Sequence, residues 1–342
     1  MRARWSVLLV VATCGAKVVK PSPGAPAPTA IALPGGAGEI GFDDMGFARG
    51  LRKVIVPAGR TGSLVLIDPD TRAITAIAGF TTSSAGAGHG DGTTSADEGA
   101  GLLFASDRST RRLDVVDPSK GTIVADAPLA GGPDYVRYVA ATNEVWVTEP
   151  SSKQIEIFTL PKEGTPTPTS VGFIRFDDGP ESLVIDGTRK RAYTHQWGSK
   201  SHAVDLASRK IVATWDNGCS GSRGIALDEK KGFLFAGCEE GKAVVLDVTH
   251  DGRVLGSLSP GVSGVDIIAY NAGLGHLYLP GESSGTLAIV AVSASGALST
   301  LAIAKASTGS HCASADDRNN VWVCDPERGQ VLVYHDGFDA SR

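Results

Sequence analysis

"VWVCDPERGQVLVYH" occupies residues 321–335. Two apolar, β-branched runs flank a short polar stretch with a glycine near its end, which is the signature of a β-hairpin. The same phrase recurs six times upstream. It reads "VIVPAGRTGSLVLID" (54–68), "LLFASDRSTRRLDVVD" (102–117), "VWVTEPSSKQIEIF" (145–158), "AYTHQWGSKSHAVD" (192–205), "LFAGCEEGKAVVLD" (234–247) and "LYLPGESSGTLAIVA" (277–291). The equivalent last positions are Asp68, Asp117, Phe158, Asp205, Asp247, Ala291 and His335, so the gaps are 49, 41, 47, 42, 44 and 44 residues. A period in the forties with apolar and polar residues alternating every second position indicates a circular array of small sheets rather than a helical solenoid.

Each unit offers two further strands. One precedes the hairpin, as in "GPDYVRYVA" (132–140), "GPESLVID" (179–186), "GSRGIALD" (221–228), "GVDIIAYN" (264–271) and "GSHCASAD" (309–316). Another follows it, as in "RAITAIA" (72–78), "GTIVADAP" (121–128), "KIVATW" (210–215) and "RVLGSL" (253–258). Four antiparallel strands make one blade, and seven blades close an all-β, seven-bladed β-propeller. The seventh unit ends in "VLVYHDGFDASR" and lacks a fourth strand. The segment "TAIALPGG" (29–36) has that strand's pattern. It is expected to lie beside 330–335 and tie the ring shut, removing two exposed sheet edges.

The phrases "VWVT", "IEIF" and "VVLD" at these spacings resemble the YVTN (YncE-like) seven-bladed propeller family, over nearly all of residues 29–338. The resemblance implies the fold and leaves the function open. The WD dipeptide, the kelch double glycine and the sialidase Asp-box are not among the repeated phrases.

The organisation follows. Residues 1–13 read as a signal peptide: "MRAR" is basic and "WSVLLVVA" is apolar but too short to span a bilayer. The run ends in "VATC", which resembles the lipobox of bacterial lipoproteins and implies lipidation at Cys14; a simple secretory signal is the alternative. Residues 14–28 are Pro/Gly/Ala-rich and read as a tether. The propeller occupies 29–338. The expected address is the bacterial outer membrane or periplasm, with membrane contact through the lipid anchor only and a monomeric chain.

Cysteine usage agrees with export. Beyond Cys14 there are Cys219, Cys238, Cys312 and Cys324. Cys219 and Cys238 fall at the same end of the fifth blade. If Ala315 faces Val321, Cys312 faces Cys324. Two disulfides, 219–238 and 312–324, are expected. No Cys-x-x-Cys spacing points to zinc, and no Cys-x-x-Cys-His phrase points to covalent haem. The net charge of −5 provides no global basic field for nucleic acid.

Inner strands of a propeller line its channel, and their first residues ring one mouth. Alignment places Asp134, Glu181, Arg223, Asp266 and His311 at one position of that ring. The first unit adds Asp43 or Asp44 from "GFDDMGFA", and the second adds His89 or Asp91 from "GHGDGTT". Converging polar groups in a concavity are the default site. The ligand-binding set is therefore Asp44, Asp91, Asp134, Glu181, Arg223, Asp266 and His311.

Two functions suit this ring. The leading one is a non-catalytic binding or scaffolding protein of the cell envelope that holds a small molecule or an envelope protein. The alternative is a metal-assisted hydrolase or lyase of lactonase type. In it, Asp134, Glu181 and Asp266 would hold calcium or magnesium, and Glu181 and His311 would move protons. His195, Gln196 and Trp197 replace the usual small turn residues and mark a contact surface. The acids closing the third strands (Asp68, Asp117, Asp205, Asp247) are expected to cap turn amides.

Overall fold

The computed structural model describes residues 20–84 and 90–341. Twenty-eight strands form seven four-stranded antiparallel sheets. In chain order the blades begin with the inner strands β2 (Gly46–Ala48), β6 (Thr93–Gly99), β10 (Val136–Val139), β14 (Val184–Asp186), β18 (Ser222–Asp228), β22 (Ala269–Asn271) and β26 (Ala313–Ala315). Each of the first six blades then runs outward through its next three strands. The seven-bladed propeller expected from the repeat is the observed fold.

The seventh sheet has the order β1-β28-β27-β26, so its outer strand is β1 (Thr29–Ala32) from the start of the described chain. β1 pairs antiparallel with β28 (Gln330–His335) in the register Thr29↔Val333, Ala30↔Leu332, Ile31↔Val331 and Ala32↔Gln330. The ring is thus closed as the strand count requires. The backbones come close where β1 leaves the sheet: Leu33 N–H donates to Gly329 O at 3.1 Å. Gly329 turns there with φ 57°, and a Cβ on it would lie 1.8 Å from Gly36 O. Only glycine fits.

The middle strands carry the core. β11 (Glu144–Glu149), β19 (Phe233–Cys238) and β27 (Asn320–Asp325) are buried at every position, because each is covered by a blade on both faces. Large side chains fill the space between blades, Trp146, Trp322, Tyr193, Tyr278 and Phe235 among them. The strand-end acids do cap turns: Asp68 accepts from the amides of Asp70 (3.0 Å) and Thr71 (2.8 Å), Asp205 from Ser208 (2.8 Å) and Asp247 from Thr249 (2.9 Å).

Of the two expected disulfides one is present and one is not. Cys219 and Cys238 are bonded, with Cα atoms 5.4 Å apart. Cys312 and Cys324 face each other in the anticipated register, Ala315 opposite Val321, but remain free buried thiols. Cys324 N–H donates to Cys312 O at 3.1 Å. The pair sits across that one hydrogen bond of the ladder, and its two thiols are not joined. Next, the described part of the tether is not free of contacts. Ser22 N–H donates to Ile303 O (2.8 Å), and Ile303 N–H donates to Ser22 Oγ (3.0 Å) on the outer strand of the sixth blade. The signal peptide, Cys14 and His89 lie outside the described residues. No helix among the described residues is long and apolar enough to cross a membrane.

Candidate functional site

The loops that enter the inner strands are stapled by backbone hydrogen bonds, some to their own blade and some to the next. Asp134 N–H donates to Thr148 O (2.8 Å), and Glu181 N–H to His195 O (2.8 Å). Asp266 is fixed from the next blade, through Ile267 N–H to His311 O (2.9 Å). This stapling holds Asp134, Glu181 and Asp266 at the channel mouth just ahead of their inner strands, while Arg223 is the second residue of β18. The mouth holds a cavity of about 320 Å³, and Asp43, Asp134, Glu181, Arg223 and Asp266 all line it.

Two further lining residues come from outer turns and carry no signal at the aligned position. Arg108 lies in the turn between β7 (Leu102–Asp107) and β8 (Arg112–Asp117) and crosses to the next blade. Its guanidinium bridges Asp43 and Asp134, each at 2.7 Å, while its Nε donates to Pro133 O at 3.0 Å. Trp197, in the turn after β15 (Arg191–His195), donates its indole N–H to Glu181 and remains 39 % exposed. Arg223 reaches Glu181 at 3.4 Å and Glu239 at 2.8 Å.

Four carboxyl groups thus meet two guanidinium groups around the cavity. The surplus of acid shows in their protonation. Burial, then Asp43, raises Asp134 well above the ordinary carboxylate range. Burial raises Glu181 too, against the pull of Arg223 and Trp197. Asp266 is pushed up to about 8 by burial and by Asp43, with His311 pulling the other way. The Asp266 carboxyl makes no hydrogen bond or salt bridge among the described residues, so its burial is not offset by a donor.

The other anticipated residues lie elsewhere. Asp44 turns away from the mouth cavity; it is gripped by Arg137 (2.5 and 3.0 Å) and accepts from Ser95 Oγ (2.6 Å). Of the two candidates in the first unit, Asp43 is the one at the mouth. Asp91 is held by Ser83 Oγ (2.7 Å), and Ser109 Oγ stands 3.5 Å from it; both lie outside the mouth. His311 lines a neighbouring recess of about 440 Å³ between the blades, not the mouth cavity itself. His195 is fully buried, bonded to Ser201 Oγ (2.8 Å), and burial pulls its pKa down to about 4, so it is a neutral core residue. Of the turn 195–197, only Trp197 offers a surface. Asp134, Glu181 and Asp266 do not gather their oxygens at one ligating point. Among the described residues the one His/Cys/Asp/Glu trio whose ligand atoms lie within 4.8 Å of one another is His311, Cys312 and Cys324.

Comparison with solved structures confirms the architecture. The chain superposes on a chain of the mitotic checkpoint complex with TM-score 0.74 and 12 % identity, over 98 % of this chain and 97 % of that one. It matches hydrazine synthase of Kuenenia stuttgartiensis with TM-score 0.72 and 12 % identity, over 88 % and 97 %. The β-propeller domain of Myceliophteria thermophila Cps50 (Swd1) gives TM-score 0.71 and 11 % identity, over 90 % and 99 %. At such identities the likeness is one of fold alone. No protein-family model matches the chain. No curated protein matches it either.

Proposed function

We propose that this propeller is a non-catalytic binding protein of the cell envelope, of YVTN type, and that its channel mouth takes a cationic group presented by a partner polypeptide. The observation that carries this reading is the mouth itself: four carboxyls against two guanidiniums around one cavity, with an exposed indole on its rim. A lysine or arginine side chain entering there meets the Asp266 carboxyl, which has no donor among the described residues. Its charge is attracted to the remaining acids, and its stem or guanidinium lies against Trp197. The volume suits one long side chain and is at the low end for a small-molecule pocket.

Export is supported by the basic-apolar start of the chain and by the Cys219–Cys238 bond, which belongs to oxidising compartments. The metal-assisted hydrolase has less support, because Asp134, Glu181 and Asp266 offer no shared ligating point and Arg108 and Arg223 occupy the space among them.

Calorimetric titration of the full chain with short Lys- or Arg-containing peptides, against Glu-substituted counterparts, tests the proposal. Binding of the basic peptides alone, weakened at least tenfold in Glu181→Gln, is expected. Equal binding of basic and acidic peptides, or turnover of ester and lactone substrates lost in Glu181→Gln, would remove it.

A further inference from the structure

The free thiols of the seventh blade are the centre of a second arrangement. Cys324 is on β27, Cys312 directly precedes β26, and neither is exposed to solvent. The ladder bond from Cys324 N–H to Cys312 O is present, but its reciprocal is not. Ser310 Oγ takes Cys324 O at 2.7 Å, and the Cys312 N–H turns instead onto Cys324 Sγ at 3.1 Å. His311 N–H also points at that sulfur, at 3.3 Å. Two amide donors aimed at one buried sulfur stabilise a thiolate, as they would any anion in an amide nest. A thiol with no anionic role would gain little from them.

The His311 ring completes the group. Its Nε2 stands 2.9 Å from Phe42 O and its Nδ1 2.6 Å from Gly309 O. A backbone carbonyl stands against each ring nitrogen and fixes the ring beside the sulfur, with Nδ1 3.9 Å from Cys324 Sγ. An Nε2–H held by a backbone carbonyl is also how a metal-bound histidine is oriented through its other nitrogen. Zinc–sulfur and zinc–nitrogen bonds at a tetrahedral angle set two such ligand atoms roughly 3.6 Å apart. The three ligand atoms here already lie within 4.8 Å of one another. His311 also borders the recess of about 440 Å³, which provides a route for an ion.

We propose that His311 Nδ1, Cys312 Sγ and Cys324 Sγ form a binding site for a borderline-soft divalent ion of the zinc class. Spacing along the chain did not suggest it, because Cys312 and Cys324 are brought together across a hairpin rather than along one loop. Two sulfurs and one nitrogen suit zinc and its thiophilic neighbours rather than calcium or magnesium. Binding requires His311 Nδ1 and both sulfurs to be free of protons, so about two protons leave and no electrons move. Three protein ligands leave a fourth position for water or another small ligand.

Zinc(II) and cobalt(II) are the probes, added to the full-length chain prepared without reductant or chelator. Expected are one equivalent of zinc per chain, sulfur-to-cobalt charge-transfer absorption with cobalt, release of about two protons, and protection of both thiols from alkylation. Cys324→Ser and Cys312→Ser should each weaken uptake at least a hundredfold. The wild-type cobalt spectrum and alkylation protection need no variant, so they decide the matter even if a buried substitution prevents folding. Absence of stoichiometric uptake, uptake unchanged in Cys324→Ser, or a 312–324 disulfide in the peptide map of the protein as isolated would overturn the proposal.

Discussion

Glu181 and Trp197 flank the first hairpin of the fourth blade and meet at its open end, where the indole N–H of Trp197 is hydrogen-bonded to the carboxylate of Glu181. The contact orients the carboxylate at the mouth and keeps the aromatic face open. Trp197→Phe retains a ring but loses the donor. It should weaken binding of a basic peptide by about tenfold, on the scale of one hydrogen bond to a charged group, while the far-UV circular dichroism stays unchanged. Unaltered affinity would show that the rim is not part of the site.

The raised Asp266 makes the mouth pH-sensitive. Its folded pKa of about 8 lies far above the ordinary carboxylate value of about 3.9. Its contribution to stability is therefore whole below about pH 4 and is lost as pH rises through 8. Asp266→Asn should equal the wild type in urea melts near pH 4 and exceed it at pH 9. Over the upper part of that range the wild-type mouth gains a negative charge, so its affinity for a basic peptide should rise between pH 6 and 9. The Asn variant should show a flatter profile. Parallel profiles for the two proteins would refute the assignment.

Closure of the ring depends on Gly329. Its positive φ and the 1.8 Å approach that a Cβ would make to Gly36 O leave no room for alanine. Gly329→Ala should cost about 2–3 kcal/mol, within the upper range for single substitutions, read as a lower midpoint in urea. Alanine at Gly121, which has nothing within 4 Å, is the control for the effect of φ alone and should cost less.

The Cys219–Cys238 bond closes a short loop, with a sequence separation of 19. Loop entropy gives it about 3 kcal/mol. The double variant Cys219→Ser/Cys238→Ser should lose about that much stability, read from urea melts. A loss near zero would mean that the bond is absent from the protein in solution.

The fold was legible because the hairpin phrase repeats: seven apolar strand pairs at a period in the forties leave few alternatives, and the missing outer strand identified Thr29–Ala32. The mouth was half legible. Alignment finds residues at the entry to an inner strand, and so it found Asp134, Glu181 and Asp266 just ahead of theirs and Arg223 at the second position of β18. It settled on Asp44 where Asp43 is the residue at the mouth, because adjacent residues in an irregular loop differ only in direction. Arg108 and Trp197 escaped it, since they arrive from outer turns of variable length. Asp91 was misplaced for the converse reason: its long loop has no fixed register, and Ser83 and Ser109 draw it aside. For Cys312 and Cys324 the register was right and the chemistry was not. Register brings two cysteines opposite each other, but whether they bond or remain thiols is not written in the residue types.

The most direct test of the central claim is hydrogen exchange of the full chain with and without a saturating Lys- or Arg-containing peptide. The account predicts added protection at the mouth, in the segments 132–134, 181–183, 195–198 and 264–267, with the outer strands unchanged. Protection confined to the outer strands, such as 169–175 or 210–216, would contradict it.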